Sequence, residues 1–358
     1  MSQSLDAREA AAFTAIPEVD LRRWHAGPVE RTALARDVRQ ICHEIGFFQL
    51  VGHGVPDEFR RRYFGLLEAF FALPEDVKAQ IDKVRSPHFR GWERVGSELT
   101  DNRTDFREQL DVSSEHPPYP PDAMPPYLRL DGPNQWLPDE VLPGFRDAVI
   151  ELFDRLGAVA FELMEVLSVG LGLEPDHLRR VFGARPLSLA KLISYPPTPP
   201  GEAGVNAHHD AGFLTLLMQH GVGGLQVLNP AGDWIDVPPR DDAFVVNLGE
   251  MLQAMTGNYV VATTHRVIAT EERYSSGYFH GPDLRTRLDP LPLRPELAAA
   301  VAASPRHSGA GFMAKRDELL AGRGGTTSTS AGVYGEQLWN YYLRSYPENV
   351  RAHYPAAR

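Results

Sequence analysis

The stretch LSLAKLISYPPTPPGEAGVNAHHDAGFLTLLMQHGVGGLQVL, residues 187–228, is a series of short apolar runs separated by turn residues. The same pattern continues in DWIDV (233–237), AFVVNLG (243–249), THRVIA (264–269) and SGYF (276–279). Strands that recur about every 8–12 residues between turn signals are typical of a β-sandwich or barrel. This part of the chain therefore predicts an antiparallel double-sheet core.

The rest of the chain is mainly helical by its pattern. Apolar residues recur at helical spacing in five segments: Leu34 to Ile45, about Pro56 to Leu73, Gly144 to Leu171, and near the end Phe312 to Ala321 and Tyr334 to Arg344. Short strands are expected at Ile16 to Leu21 and Phe47 to His53. Residues 85–135 are rich in Pro, Gly and charge, which predicts a largely irregular segment. GRGGTTSTSAG, before the last helix, predicts a linker or lid.

Together these elements predict an α+β protein. A helical N-terminal region, residues 1–135, is expected to pack on a double-sheet core with C-terminal helices, residues 136–358. We expect the two parts to form one continuous structural unit.

Composition narrows the partners and the compartment. The 358 residues carry a net charge of −11 with no basic block, which argues against nucleic acid or an anionic membrane as partner. No apolar run reaches the roughly 18 residues of a membrane span. The single cysteine, Cys42, cannot form an internal disulfide, so we expect a cytoplasmic protein. We expect a monomer or a weak homo-oligomer.

The segment Asn206 to Gly212 (NAHHDAG) carries the first candidate ligands. If it is a strand, His208 and Asp210 share one face and His209 points to the other. His265 lies further along the chain and could return beside them across the sandwich. Two histidines and one carboxylate form the facial triad of non-haem Fe(II) oxygenases. Zinc hydrolases use similar ligands, and an isolated His-x-Asp is often structural, so the pattern needs support from further residues.

That support comes from Arg273 and Ser275, which share a face if their segment is a strand. A guanidinium and a hydroxyl are suited to hold a buried carboxylate, because charge-assisted hydrogen bonds offset its desolvation. Tyr195 is a third donor for the same carboxylate. A zinc hydrolase has no need for Arg273 and Ser275, and a non-enzymatic binding module has no need for three intact metal ligands.

The ordered motifs resemble the isopenicillin N synthase-like branch of the Fe(II)/2-oxoglutarate-dependent dioxygenases. The resemblance covers nearly the whole chain. It is carried by IPEVDL, HEIGFFQLVGHGVP, EAFFALPEDVK, RGWERVG, DFREQLDV, LISYPP, AHHDAGFLTLL, GGLQVLNPAGDWIDVPP, FVVNLGEMLQAMTGNYVVATTHRV and RYSSGYF.

The resemblance implies a double-stranded β-helix, or jelly roll, with the metal inside. It implies Fe(II) bound by His208, Asp210 and His265. It also implies 2-oxoglutarate held at its distal carboxylate by Arg273 and Ser275, with Tyr195. The implied reaction is an O₂-dependent oxidation of an unactivated C–H bond of a small molecule, releasing succinate and CO₂. Hydroxylation is the first expectation, and desaturation or epoxidation are alternatives; ascorbate should help to keep the iron reduced.

Two matters stay open at this level. Isopenicillin N synthase uses a similar Arg-x-Ser pair for its own substrate and needs no 2-oxoglutarate, so a 2-oxoglutarate-independent oxidase is the alternative. The substrate is not defined, although the breadth of the family favours secondary metabolism. Candidate pocket residues by resemblance are Phe106, Leu225, Met251, Leu252, Phe279, Trp339 and Tyr342. Arg103 and Arg107 are candidates for a substrate acid, with a solvated surface role favoured over it.

Overall fold

A computed structural model describes residues 12–100, 103–308 and 332–355 of the chain. The helices are α1 (Pro28–Glu44), α2 (Asp57–Phe71), α3 (Glu75–Lys78), α4 (Phe145–Gly170), α5 (His177–Val181), α6 (Glu250–Met255), α7 (Pro295–Ala302), α8 (Pro305–Ser308), α9 (Tyr334–Ser345) and α10 (Pro347–His353). The strands before α4 are β1 (Glu18–Asp20), β2 (Phe47–Val51), β3 (Gly91–Glu93), β4 (Leu99–Thr100), β5 (Arg103–Thr104) and β6 (Glu108–Ser113). The later strands are β7 (Leu189–Tyr195), β8 (Val205–His208), β9 (Leu214–His220), β10 (Leu225–Leu228), β11 (Trp234–Asp236), β12 (Phe244–Leu248), β13 (His265–Val267) and β14 (Arg273–His280).

Two facing sheets form the core. The large sheet has the strand order β1-β2-β12-β9-β14-β7-β6-β3, and the small sheet has the order β11-β10-β13-β8. The pairing is antiparallel except for β1 with β2. Helices lie against the outer face of the large sheet, where Phe153 of α4 stacks edge-on against Tyr278. The expected α+β class with a jelly-roll core is confirmed.

Strands β2, β9 and β12 are buried almost throughout on both faces, which explains their largely apolar sequences. In β9, Leu214, Leu216 and Met218 belong to the core shared with the helices. A second, smaller core lies between the sheets and includes Ile193, Val227 and Val245. Polar side chains on the inner faces are therefore enclosed by the barrel.

The expectation for residues 85–135 was wrong at one important place. Strand β6 lies inside the large sheet and pairs with both β3 and β7. Its apolar Leu110 and Val112 join the helix-side core, while Gln109 and Asp111 are buried on the opposite face. Because charged and amide groups occupy the inner face, the segment lacks the apolar signature of a central strand. Strands β6 and β7 also join the regions before and after residue 135 into one sheet.

The expected helices near the N-terminus, in the middle and at Tyr334 to Arg344 are confirmed by α1, α2, α4 and α9. The helix expected at 312–321 and most of the linker after it lie outside the described residues.

Candidate iron centre and co-substrate pocket

The small sheet brings two histidines together. His208 ends β8 and His265 begins β13, and the two residues are directly opposite each other in the register. Asp210 follows β8 in a loop, so the alternation assumed for a strand through Asp210 does not apply. The loop nevertheless places Asp210 Oδ1 3.6 Å from Nε2 of His208 and 3.6 Å from Nε2 of His265. One ligand atom from each residue lies within 4.8 Å of the others, close enough for one metal ion.

Hydrogen bonds orient these three side chains. Nδ1 of His208 lies 2.8 Å from the carbonyl oxygen of Asn206, and Nδ1 of His265 lies 3.1 Å from that of Thr263. With the proton on Nδ1, each ring presents the lone pair of Nε2 to the cluster.

Asp210 is oriented from the large sheet. Its Oδ2 accepts hydrogen bonds of 2.6 Å from both Thr215 and Asn247, which leaves Oδ1 for the histidines. Neither Thr215 nor Asn247 was expected from the sequence. The only available signal was that both occupy inward positions of apolar strands.

The pKa values of His265 and Asp210 favour the protonation states that bind a divalent cation. Burial lowers the pKa of His265 to about 4, so this ring is neutral and can donate its lone pair near pH 7. Burial opposes ionisation of Asp210, but hydrogen bonding and the nearby histidines outweigh it and lower the pKa of this carboxyl. Two imidazoles and one carboxylate match the facial triad of non-haem Fe(II) enzymes. Within residues 12–100, 103–308 and 332–355, no second group of three such side chains meets the same distance criterion.

His209 lies outside the cluster. Its Nε2 is 2.9 Å from Oγ1 of Thr264, and its side chain is more exposed than those of Asp210 and His265. Adjacent histidines therefore have different environments.

A buried cation lies on the inner face of the large sheet. Arg273, at the start of β14, is 0% exposed and lies opposite Tyr195 in the register. Its Nη1 donates to Oγ of Ser275 (3.0 Å), and its guanidinium lies over the Tyr195 ring at 4.7 Å. Arg273, Ser275 and Tyr195, which the sequence predicts to act together, therefore lie close together in the structure.

The sequence interpretation missed Gln219 at this place. Its Oε1 accepts a 3.1 Å hydrogen bond from Nη2 of Arg273. Among the described residues, the buried Nε of Arg273 has no hydrogen-bond partner. No carboxylate of the described residues forms an ion pair with this guanidinium. The positive charge of Arg273 is therefore buried among neutral groups. Such a charge is costly unless a ligand compensates it.

The candidate substrate residues are scattered. Leu225 belongs to the inter-sheet core, whereas Leu252 is buried on the helix side and Met251 packs against that side. Trp339 and Tyr342 of α9 pack around Phe89. Phe106 and Phe279 are half-buried.

The two arginine candidates differ. Arg103 is exposed, but Arg107 is buried and pairs with Glu98 at 2.6 Å, so the surface role favoured for Arg107 was wrong. The reason is that β6 is an interior strand.

Comparisons with known proteins agree with this site. The family model described as "non-haem dioxygenase in morphine synthesis N-terminal" matches residues 16–139, and that of the "2OG-Fe(II) oxygenase superfamily" matches residues 185–282. The chain is 32% identical over 340 residues to the 2-oxoglutarate-dependent dioxygenase frbJ of Dothideomycetidae sp. (strain 11243), covering 92% of this chain and 87% of that protein. It is 36% identical over 292 residues to the 2-oxoglutarate-dependent dioxygenase traH of Penicillium crustosum, covering 77% and 87%.

Solved structures show the same fold. A full-length Neurospora crassa protein in complex with alpha-KG and thymine aligns with a TM-score of 0.71 at 23% identity, covering 91% of this chain and 97% of that one. The rice dioxygenase for auxin oxidation aligns with a TM-score of 0.61 at 26% identity, covering 88% and 98%.

The chain belongs to the 2OG-Fe(II) oxygenase superfamily. It is a non-haem Fe(II)/2-oxoglutarate-dependent dioxygenase that acts on a small molecule, as the resemblance implied. The 2-oxoglutarate-independent alternative is not favoured. None of the helices in the described ranges has both the length and the apolar character needed to cross a membrane.

Proposed function

We propose that His208, Asp210 and His265 are the Fe(II) ligands of this dioxygenase. The proposal is supported by the convergence of Nε2, Oδ1 and Nε2 at mutual distances that one ion can bridge. Three protein ligands leave coordination positions open for a co-substrate and O₂. The hydrogen bonds from Thr215 and Asn247 hold Asp210 in the orientation that the metal needs.

We further propose that Arg273, Ser275 and Tyr195 bind the distal carboxylate of 2-oxoglutarate. The observation that carries this proposal is the fully buried guanidinium whose hydrogen-bond partners, Ser275 and Gln219, are both neutral. A carboxylate would supply the missing counter-charge and could accept from Arg273, Ser275 and Tyr195 together. Gln219 orients the guanidinium without neutralising it.

When bound, iron, 2-oxoglutarate and O₂ supply the oxidation of an unactivated C–H bond and release succinate and CO₂. The protein's own contribution is to hold the co-substrate in one orientation and to exclude water. We propose hydroxylation as the outcome and a compound of secondary metabolism as the substrate. We also propose a cytoplasmic monomer or weak homo-oligomer, in which residues 1–135 and 136–358 act as one unit; the single, fully buried Cys42 agrees with a reducing compartment.

The ligand assignment is tested by alanine substitution of the adjacent histidines. We expect His208→Ala to lose bound iron and 2-oxoglutarate turnover, because it removes one of three ligands. His209→Ala is the matched control and should keep both, since its ring lies outside the cluster. The measurement is iron content after anaerobic loading, together with succinate release. If His209→Ala loses the iron while His208→Ala keeps it, the assignment is wrong.

The dependence on 2-oxoglutarate is tested with the wild-type enzyme. Anaerobic titration of 2-oxoglutarate into the Fe(II) protein should produce a metal-to-ligand charge-transfer band. Absence of that band, combined with O₂ uptake on substrate alone, would support the 2-oxoglutarate-independent oxidase instead. A substrate-library screen that reads succinate release then identifies the compound oxidised.

A further inference from the structure

A second set of buried charges lies on the inner face of the large sheet. Lys191 is four residues before Tyr195 on β7, and alternation places both side chains on the same face. Lys191 is opposite Gly277 of β14, and Gly277 is two residues after Ser275. This set therefore shares the barrel interior with the Arg273 pocket.

One carboxylate, that of Glu98, is the centre of the set. Nη2 of Arg107 donates to Oε2 of Glu98 at 2.6 Å, and Nζ of Lys191 lies 3.2 Å from both carboxylate oxygens. The hydroxyl groups of Tyr346 and Tyr341 lie 3.0 Å and 3.5 Å from Oε1. We call Arg107, Lys191, Tyr341 and Tyr346 the donor cluster. It surrounds a carboxylate with two cations and two phenols.

The donor cluster is connected to the iron centre through a short chain of contacts. Arg107 also pairs with Asp105 at 3.4 Å, and Asp105 accepts hydrogen bonds from the backbone and side chain of Asn206. The carbonyl oxygen of Asn206 is the one that orients His208. The donor cluster is thus linked to His208 through Asp105 and Asn206.

The cationic donors and the acceptor Glu98 differ in how extensively the strands next to them are paired. Arg107 immediately precedes β6, and Lys191 is inside β7, which is paired along its length with β6 and β14. Glu98 precedes β4, a two-residue strand that pairs with the equally short β5. Its neighbour Leu99 is 54% exposed. The cations are therefore in, or directly before, strands of the large sheet that are paired on both sides, whereas Glu98 precedes a short strand of a separate two-stranded sheet.

We propose that the donor cluster is the recognition site for a carboxylate of the substrate, and that Glu98 fills it when substrate is absent. This inference rests on the proposed dioxygenase function and adds a substrate class to it. If Glu98 leaves, Arg107 keeps Asp105 and Lys191 keeps Asp111, at 3.0 Å, so one incoming monoanion restores the original charge. A phosphate dianion is disfavoured because the nearby acids would repel its second charge.

The test uses benzoate, phenylacetate, 3-phenylpropanoate and hexanoate, each with its primary amide, on the full-length protein. Binding is followed as a change in the charge-transfer band of the anaerobic Fe(II)–2-oxoglutarate complex. The shift in thermal unfolding midpoint is a second readout that needs no co-substrate. We expect at least one acid to bind about ten- to a hundredfold more tightly than its amide, the scale of a charge-assisted hydrogen bond.

Three variants separate recognition from structural support. Lys191→Met should remove most of the preference for acids. Lys78→Met is the matched control, because Lys78 is also a buried lysine and pairs with Glu108, which is not part of the donor cluster. It should lose stability and keep the preference. Glu98→Gln keeps the side-chain volume and should tighten acid binding, since the chain's own carboxylate no longer competes.

If no acid binds, if amides bind as tightly as acids, or if Glu98→Gln weakens acid binding, the cluster is only structural. Tyr346→Phe, which removes a single hydroxyl group, checks the result if Lys191→Met does not fold, and it should weaken acid binding several-fold. Unchanged acid binding in Tyr346→Phe would count against the inference. Failure of the 2-oxoglutarate band itself would instead overturn the proposed function, because that band forms before any probe is added.

Discussion

The barrel interior contains two kinds of buried cation, which differ in their partners. Arg273 contacts the neutral groups of Ser275, Gln219 and Tyr195. Arg107 and Lys191 contact carboxylates of the chain itself. A buried charge among neutral groups is stable only when a ligand brings the counter-charge, whereas a compensated charge is stable without one. The two groups therefore predict different consequences when a partner is changed.

The largest effect is expected where the counter-charge comes from a ligand. Arg273→Ala should weaken 2-oxoglutarate binding by about two to four powers of ten, because leaving one member of a buried charge pair uncompensated costs roughly 3–5 kcal/mol. Arg273→Lys should recover only part of the loss, since an ammonium cannot form the planar fork. Anaerobic titration of the charge-transfer band measures both variants. Retained iron content is the control, and unchanged affinity in Arg273→Ala would move the co-substrate elsewhere.

One substitution, Gln219→Glu, should give Arg273 a counter-charge from the chain itself, as Arg107 and Lys191 already have. Gln219→Glu places a carboxylate beside Arg273, so the chain would neutralise its own guanidinium. We expect 2-oxoglutarate affinity to fall by about ten- to a hundredfold, because the co-substrate must then compete with an internal ion pair. Gln219→Met, which removes the hydrogen bond without adding charge, should cost less. Equal affinities in the two variants would show that Gln219 acts only through packing.

Arg107 and Lys191 have counter-charges from the chain itself, so changing their partner Glu98 should alter the free energy of unfolding. Glu98→Gln is expected to lower the free energy of unfolding by roughly 1–3 kcal/mol, the cost of leaving buried groups less well paired. Each cation keeps a second acid, so the full loss of a buried pair does not apply. Glu348→Gln is the matched surface control and should change stability by less than about 0.5 kcal/mol. Urea unfolding of both variants, in the absence of any ligand, gives the comparison.

The smallest effect is expected for one neutral partner of Arg273. Ser275→Ala removes a hydroxyl group at 3.0 Å from the guanidinium and should weaken 2-oxoglutarate binding about fivefold, the scale of roughly 1 kcal/mol for one hydrogen bond. Ser276→Ala is a neighbouring control, because that hydroxyl contacts Tyr63 instead. A loss in Ser275→Ala as large as that in Arg273→Ala would mean that the serine positions the arginine rather than the ligand.

Much of this molecule follows from local sequence. Helical spacing predicted α1, α2, α4 and α9, because each buries one apolar stripe against the core. The ordered motifs predicted the jelly roll, and the positions of His208, Asp210, His265 and Arg273 were recognisable by chemistry and spacing. These features depend on residues that are close in sequence or that belong to a characteristic order of short segments.

Tertiary structure alone decided the partners of the charged groups. Glu98 and Lys191 are 93 residues apart, and Arg273 and Gln219 are 54 residues apart, so no local pattern connects them. Strand β6 was not recognised because its inner face is polar, and this polarity makes sense only once its partners from other segments surround it. Asp210 reaches the histidines from a loop rather than from a strand. Sequence specifies which charges are present, but the fold determines which of them are compensated by the chain and which are left for a ligand.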